Sequence, residues 1–190
     1  PASENITNRG SGTKISMFKF EVLHQSKRSA ARVGRITTPH GVIDTPNYVP
    51  VATNGVLKAV DNTLLNQHDC QLMFCNTYHL ALHPGADIIE KAGGIHKFIG
   101  RNRPIITDSG GFQVFSLAYG SVASELKSKG TKKTDNAVIK IDESGVRFRS
   151  YRDGKHVHLS PESSIQLQKK IGADIIIPFD ELPPFHCNEA

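Results

Sequence analysis

The sequence predicts an α/β fold built on a parallel sheet, and three observations predict it. Four apolar runs, at 47–53 (NYVPVAT), 71–77 (QLMFCNT), 104–109 (PIITDS) and 173–181 (ADIIIPFDE), lack clean alternation and so read as strands buried on both faces. Helical patterns separate them, at 61–69, 84–99 and 160–172, and strand alternating with helix implies parallel pairing. Polar groups close three of the runs, Asn76 and Thr77, Asp108 and Ser109, Asp180 and Glu181. Functional groups sit at these carboxyl ends in parallel α/β sheets and barrels.

Taken in order, residues 1–16 (PASENITNRGSGTKIS) are polar and read as a disordered leader, with Met17 as a natural start. Residues 17–46 alternate in two stretches around a Pro39-His40-Gly41 turn, a small antiparallel meander leading into the main domain at 47–190. The helix at 160–172 carries a start signal in Ser160, Pro161 and Glu162. Between the third strand and that helix, an insertion at about 117–158 supplies further strands, with turns at Ser144-Gly145 and Asp153-Gly154; it reads as a hairpin decoration.

Composition excludes little. At 38% apolar and 22% charged, 190 residues suffice for one sizeable core. A formal charge of +5 suits a polyanionic partner without demanding one. Cys70, Cys75 and Cys187 are odd in number, irregularly spaced and free of any CxxC, so neither a disulfide framework nor a zinc knuckle is indicated and a cytoplasmic setting fits best. No apolar run approaches the roughly 18 residues that span a bilayer, so no membrane is expected as a partner.

Asp108 ends an apolar strand and precedes Gly110 and Gly111, a pair that lets the backbone pass close to a ligand or adopt positive φ. The alternative for any one strand-end carboxylate or hydroxyl is an N-cap on the next helix; three in register favour a site. His79 and His83 have the i, i+4 spacing of metal ligands, but no Glu follows the first, and a structural or polyanion-facing role is favoured. His156 and His158 share one face of a strand and read as solvated; His186 and Cys187 carry no assignment. The run KSKGTKK (127–133) could meet phosphates or be a solvated loop, and Arg147, Arg149 and Arg152 are the better candidates for phosphate contact. Neither a P-loop nor GxGxxG is present.

Five motifs together, CNTYHLALHPG (75–85), TDSGGFQ (107–113), GVRFRSYRDG (145–154), LSPESSIQLQ (159–168) and FDELPP (179–184), resemble the tRNA-guanine transglycosylase, or queuine tRNA-ribosyltransferase, family over about Phe18 to His186. The long insert resembles bacterial, chlamydial-type members most. The resemblance implies a TIM (β/α)8 barrel, here about its first four strands, and exchange of the wobble guanine of tRNA for a 7-deazaguanine, the pre-queuosine base in bacteria. It implies tRNA and free guanine or a 7-deazaguanine as partners, and a homodimer when full length.

Residue by residue, Asp108 is similar to the active-site aspartate that assists proton transfer, and Asn76 to its hydrogen-bonding neighbour. Asp180 is similar to the base-reading aspartate, Ser109 and Gln113 to base-pocket residues, and Phe112 to the aromatic on which the base stacks; Gly110 and Gly111 complete the substrate-binding set. Leu182 stands where bacterial members carry Cys. The family's covalent nucleophile, a second aspartate, and its Zn2+ site of three cysteines and one histidine are expected beyond residue 190, so no metal ligand is assigned here and the 190-residue chain is expected to be inactive alone. Two other classes stay open: a non-catalytic subunit or RNA-binding scaffold, and an unrelated TIM-barrel metabolic enzyme.

Overall fold

A computed structural model gives the architecture of residues 18–119 and 138–181. The leader, the run at 127–133, Leu182, His186 and Cys187 lie outside the described residues.

The alternating N-terminal stretches fold as β1 (Lys19–Gln25), β2 (Arg32–Thr38) and β3 (Gly41–Thr45), an antiparallel sheet in that order. Thr38 pairs with Gly41 across the tight turn, where Gly41 takes φ 140. Ile43 is buried, while Phe20, Val22 and Leu23 are exposed.

The parallel sheet comes from the apolar runs, but each strand is shorter than its run. β4 (Met73–Cys75), β5 (Ile105–Thr107) and β9 (Ile175–Ile176) pair in parallel in the order β4-β5-β9. The run at 47–53 forms no regular strand, a correction to the sequence reading: Val51 makes one parallel bridge to Phe74. The pairing is nevertheless a short ladder, with Ala52 N–H to Phe74 O (2.7 Å), Phe74 N–H to Pro50 O (3.0 Å) and Asn76 N–H to Thr53 O (3.0 Å). Proline explains its shortness, because Pro46 and Pro50 have no N–H to give a longer ladder. Pro178 acts likewise after β9.

Where β9 stops, a side chain takes over. The buried Gln168 amide accepts from Ile177 N–H (3.0 Å), donates to Ile177 O (2.8 Å) and accepts from the Thr107 hydroxyl (2.9 Å). Half-buried backbone that has left the ladder therefore stays hydrogen-bonded.

Helices follow the strands. α1 (Asn62–Gln67) starts at Asp61, whose carboxylate accepts from Leu64 N–H at 2.8 Å. α2 (Thr77–Leu82) begins directly after β4. The single helix expected at 84–99 is two, α3 (Ala86–Lys91) and α4 (Ile95–Phe98), because Gly93 and Gly94 turn the chain with φ 89 and 93. α5 (Gly111–Tyr119) follows β5. The insertion gives an antiparallel sheet of β6 (Val138–Asp142), β7 (Gly145–Arg149) and β8 (His156–Leu159), with turns at both expected positions. α6 (Pro161–Ile171) has Ser160 as N-cap, and its capping box closes with Ser163: the two side chains accept each other's backbone N–H at 3.1 and 2.8 Å. Glu162 instead accepts from the Ser160 hydroxyl.

Two cores result. Met73, Cys75 and Ile105 pack with Leu80, Ile89 and Ile171 between sheet and helices. Tyr78 and Val114 pack with Val146, Phe148 and Leu159 on the inner face of β6–β8. Among the described residues, no helix is long and apolar enough to cross a membrane.

Candidate functional site

The strand ends converge. Asn76 leaves β4, Asp108 and Ser109 leave β5, and Asp180 lies beyond β9, so three neighbouring parallel strands deliver polar side chains to one end of the sheet. A cavity of about 400 Å³ lies there, lined by Asn76, Asp108, Ser109, Phe112, Gln113 and Asp180 with apolar walls from Val51, Phe74 and Ile177. Of the eight residues singled out from sequence, six line it. Gly111 borders an adjoining cavity of about 390 Å³ that Asp180 and Glu181 also line. Gly110, at φ 89, packs behind the wall against Tyr78 and Leu159.

Asp108 is held firmly. Its Oδ2 accepts from Asn76 Nδ2 (2.6 Å) and its Oδ1 from Thr77 N–H (2.7 Å), while its own carbonyl accepts from the Thr77 hydroxyl (2.6 Å). Among the described residues it does not cap α5, the helix that follows it. It secures the first turn of α2, so its carboxylate stays on the cavity wall with one lone pair free on each oxygen.

Asp180 is set by Ser109, whose hydroxyl donates to Oδ1 at 2.6 Å and accepts from Gly111 N–H at 3.1 Å. Ser109 is anchored in turn, its carbonyl accepting from the Ser164 hydroxyl of α6 at 2.7 Å. The need for glycine at 111 follows: a Cβ there would collide with the Asp180 carbonyl and stand 2.7 Å from Oδ1. The tight approach that demands glycine is to Asp180 itself, rather than to a ligand.

Two groups are left over. Phe112 is 51% exposed at the cavity, an aromatic face without a cover. Gln113 Oε1 is buried without a hydrogen-bond partner among the described residues, although buried polar atoms are nearly always satisfied. Both are as expected of a pocket that receives a flat, polar-edged molecule.

Neighbouring titratable groups narrow the chemistry. Burial pushes the Cys75 thiol up to about 12, removing it as a nucleophile. Burial raises the Tyr78 phenol to about 12 as well. His79 is lowered by burial, against the pull of the Asp108 charge, and its Nδ1 lies 3.4 Å from the Tyr151 hydroxyl. His83 is the C-cap of α2, and the pair meets no third ligand among the described residues.

One cluster was invisible in the sequence. His40, His96 and Asp174 come together from the β2–β3 turn, α4 and the start of β9. No periodicity joins them, so only the fold reveals them. Their geometry does not suit zinc: the two rings stack at 3.5 Å and 8°, so their nitrogens lie in parallel planes, and each already bonds one Asp174 oxygen, at 2.8 and 3.0 Å. A tetrahedral ion needs converging lone pairs. Nor do the described residues supply three cysteines and a histidine, since only Cys70 and Cys75 are among them.

The family model for queuine tRNA-ribosyltransferase matches residues 26–190. The chain belongs to the queuine tRNA-ribosyltransferase family. It is 68% identical over 175 residues to a queuine tRNA-ribosyltransferase of Protochlamydia amoebophila, covering 92% of this chain and 45% of that one. It is 65% identical over 173 residues to that of Chlamydia muridarum (91% and 45%) and 62% identical over 172 residues to that of Chlamydia caviae (90% and 45%). The chlamydial character read from the long insert thus holds, and the chain spans less than half the length of these curated relatives.

Proposed function

We propose that this chain forms the base-binding part of a tRNA-guanine transglycosylase, which replaces the wobble guanine of tRNA by a 7-deazaguanine such as the pre-queuosine base. The observation that carries the reading is the single cavity that gathers Asn76, Asp108, Ser109, Phe112, Gln113 and Asp180 at the strand ends of a chain of this family. On this reading the ladder at 50–53, β4, β5 and β9 are consecutive strands of a (β/α)8 barrel, the meander and the β6–β8 sheet are additions to it, and the protein works in the cytoplasm as a homodimer.

The chemistry suits the residue types. Guanine presents N1–H and its exocyclic amino group side by side, and a fixed carboxylate accepts both. Adenine shows an acceptor there and is refused. Asp180 is that carboxylate: Ser109 occupies Oδ1 and orients it, and among the described residues Oδ2 has no competing donor. Phe112 stacks on the extruded base, worth about 1–3 kcal/mol, and the Gln113 amide gains the partner it lacks. A loop base must leave its stack to reach this depth.

Asp108 stands where the glycosidic bond would break. Its negative charge favours the oxocarbenium-like centre: guanine leaves, taking up a proton from solvent, as its C1′–N bond gives way to a C1′–O ester, and Asp108 then takes the proton that the incoming deazaguanine loses as its nitrogen bonds to C1′ and the ester C1′–O bond breaks. The carboxylate that holds the ribose between the two half-reactions is placed beyond residue 190, together with the zinc site.

The test is incorporation of radiolabelled guanine into tRNA. The full-length protein is expected to exchange it, and the 190-residue chain alone is not. Exchange by the chain alone would overturn these roles.

A further inference from the structure

We propose that the outer face of the β6–β8 sheet is a docking surface for the phosphate backbone of RNA, centred on Arg147 and Arg149. This rests on the reading of the chain as a tRNA-modifying protein and extends it to a surface away from the base cavity.

The pairing register builds the face. β7 alternates, turning Val146 and Phe148 into the core and Arg147 and Arg149 into solvent. Across the strand pair, His158 stands opposite Arg147 and His156 opposite Arg149, and both histidines are exposed. Lys140 flanks Arg147 from β6. Four basic side chains of two adjacent strands, with Lys140 beside them, therefore share one surface.

Their partners, or lack of them, decide what the surface can do. Lys140 is neutralised by Asp142 at 2.6 Å, and Lys155, in the β7–β8 turn, by Asp153 at 3.0 Å. Arg147 and Arg149 make no ion pair among the described residues. Like charges on one face of a strand repel, and an anion bound beside both relieves that repulsion. At roughly 7 Å apart along the strand, two guanidinium forks can each grip one of two successive phosphates. Arg152 is also exposed, in the β7–β8 turn.

The position suits a nucleic acid that also enters the cavity. Both ends of the sheet lie near the site: Gly145, at the β6–β7 turn, borders the adjoining cavity that Asp180 and Gly111 also line, and Tyr151, after β7, lies against His79 of α2, the helix whose first turn Asp108 secures. A nucleotide held at Asp180 thus brings its flanking backbone within reach of β7. Glu143 at the β6–β7 turn repels phosphate there and favours the β7–β8 side.

The test compares R147Q/R149Q with K27Q/R28Q in the full-length protein. Lys27 and Arg28 are exposed on the β1–β2 connection, so the second variant makes the same change of net charge elsewhere. Equilibrium binding of a substrate tRNA and a non-substrate tRNA is measured against salt, alongside guanine exchange. R147Q/R149Q is expected to weaken both RNAs alike and to lower the slope of log K against log salt by about 2, one for each phosphate that an arginine no longer neutralises. KM for tRNA rises and kcat is unchanged, while K27Q/R28Q leaves the slope as it was. An unchanged slope in R147Q/R149Q, or an equal fall in both variants, would overturn the proposal. So would phosphatidylglycerol vesicles that bind the parent and release R147Q/R149Q while RNA binding is unaltered, which would assign the face to a membrane surface. Loss of slope in a protein that exchanges no guanine would sustain the docking face and defeat the transglycosylase reading.

Discussion

The Ser109 hydroxyl has one proton, and it gives that proton to Asp180 Oδ1. On the proposed reading Asp180 accepts on both oxygens, which makes its charge testable. Asp180→Asn keeps the shape and sets an amide donor against either Ser109 or the guanine edge; it is expected to cost about 2–3 kcal/mol of guanine binding. Isothermal titration of free guanine reads this directly, and binding equal to the parent would remove Asp180 as the base reader. Asp108→Asn is expected to spare guanine binding and depress single-turnover exchange on tRNA, because it removes a charge and a proton acceptor from the reacting centre. Equal loss in both assays would make Asp108 a pocket residue only. These residues were legible in the sequence because each ends an apolar run, where a parallel sheet places its functional groups. The function of Gly111 was legible only in part: glycine implied a close approach, and the fold shows that what approaches is Asp180.

At the level of elements, apolar runs disclosed the parallel strands, while their lengths depended on groups whose effects are local. Proline cuts the 47–53 ladder and ends β9, and the polar pairs that close β4 and β5 lead into α2 and α5. Neither helix stood out in the sequence. The six residues of α2 are too few to show a helical period, and its first turn is secured by Asp108 from another strand rather than by a cap of its own. The split between α3 and α4 follows from Gly93 and Gly94, which periodicity alone ran through. Gln168 is the least legible case, a polar residue on a helix that completes a sheet. Gln168→Leu fills the same space and abandons Ile177 N–H, Ile177 O and the Thr107 hydroxyl in the core. Each unsatisfied group costs about 1–3 kcal/mol, so a loss of about 3 kcal/mol or more is expected in urea unfolding, with loosened backbone at 177–180 and weaker guanine binding through Asp180. A loss under about 1 kcal/mol would mean that water or a shifted chain replaces the amide.

Across the whole molecule, one carboxylate joins the three parts that meet at the far end of the sheet. Asp174, its side chain fully buried, takes His40 from the meander, His96 from α4 and the N–H of Ile105 at the head of β5. Burial pushes its carboxyl up, but the hydrogen bonds from His96, His40 and Ile105 outweigh this and hold it at about 2, below the ordinary 3.8. A depressed carboxyl contributes stability that is complete above its unfolded value and is lost as pH falls through the folded one. The window is therefore pH 4 to 2, and the contribution is about 2 kcal/mol. Asp44, Asp69, Asp87, Asp142, Asp153 and Glu162 are also lowered, by side-chain or backbone hydrogen bonds, but they lie at the surface, where solvent screens such pairs and little stability follows. Asp174 should thus dominate acid unfolding among the described residues. Urea midpoints measured at pH 5, 4, 3 and 2.5 are expected to fall steeply in the parent. In Asp174→Asn they should start lower at pH 5, because the amide cannot accept from both histidines, and then change much less. Parallel curves for the two proteins would mean that the meander, α4 and the sheet are held by packing alone, with the stacked histidines and their carboxylate contributing nothing that a neutral side chain could not.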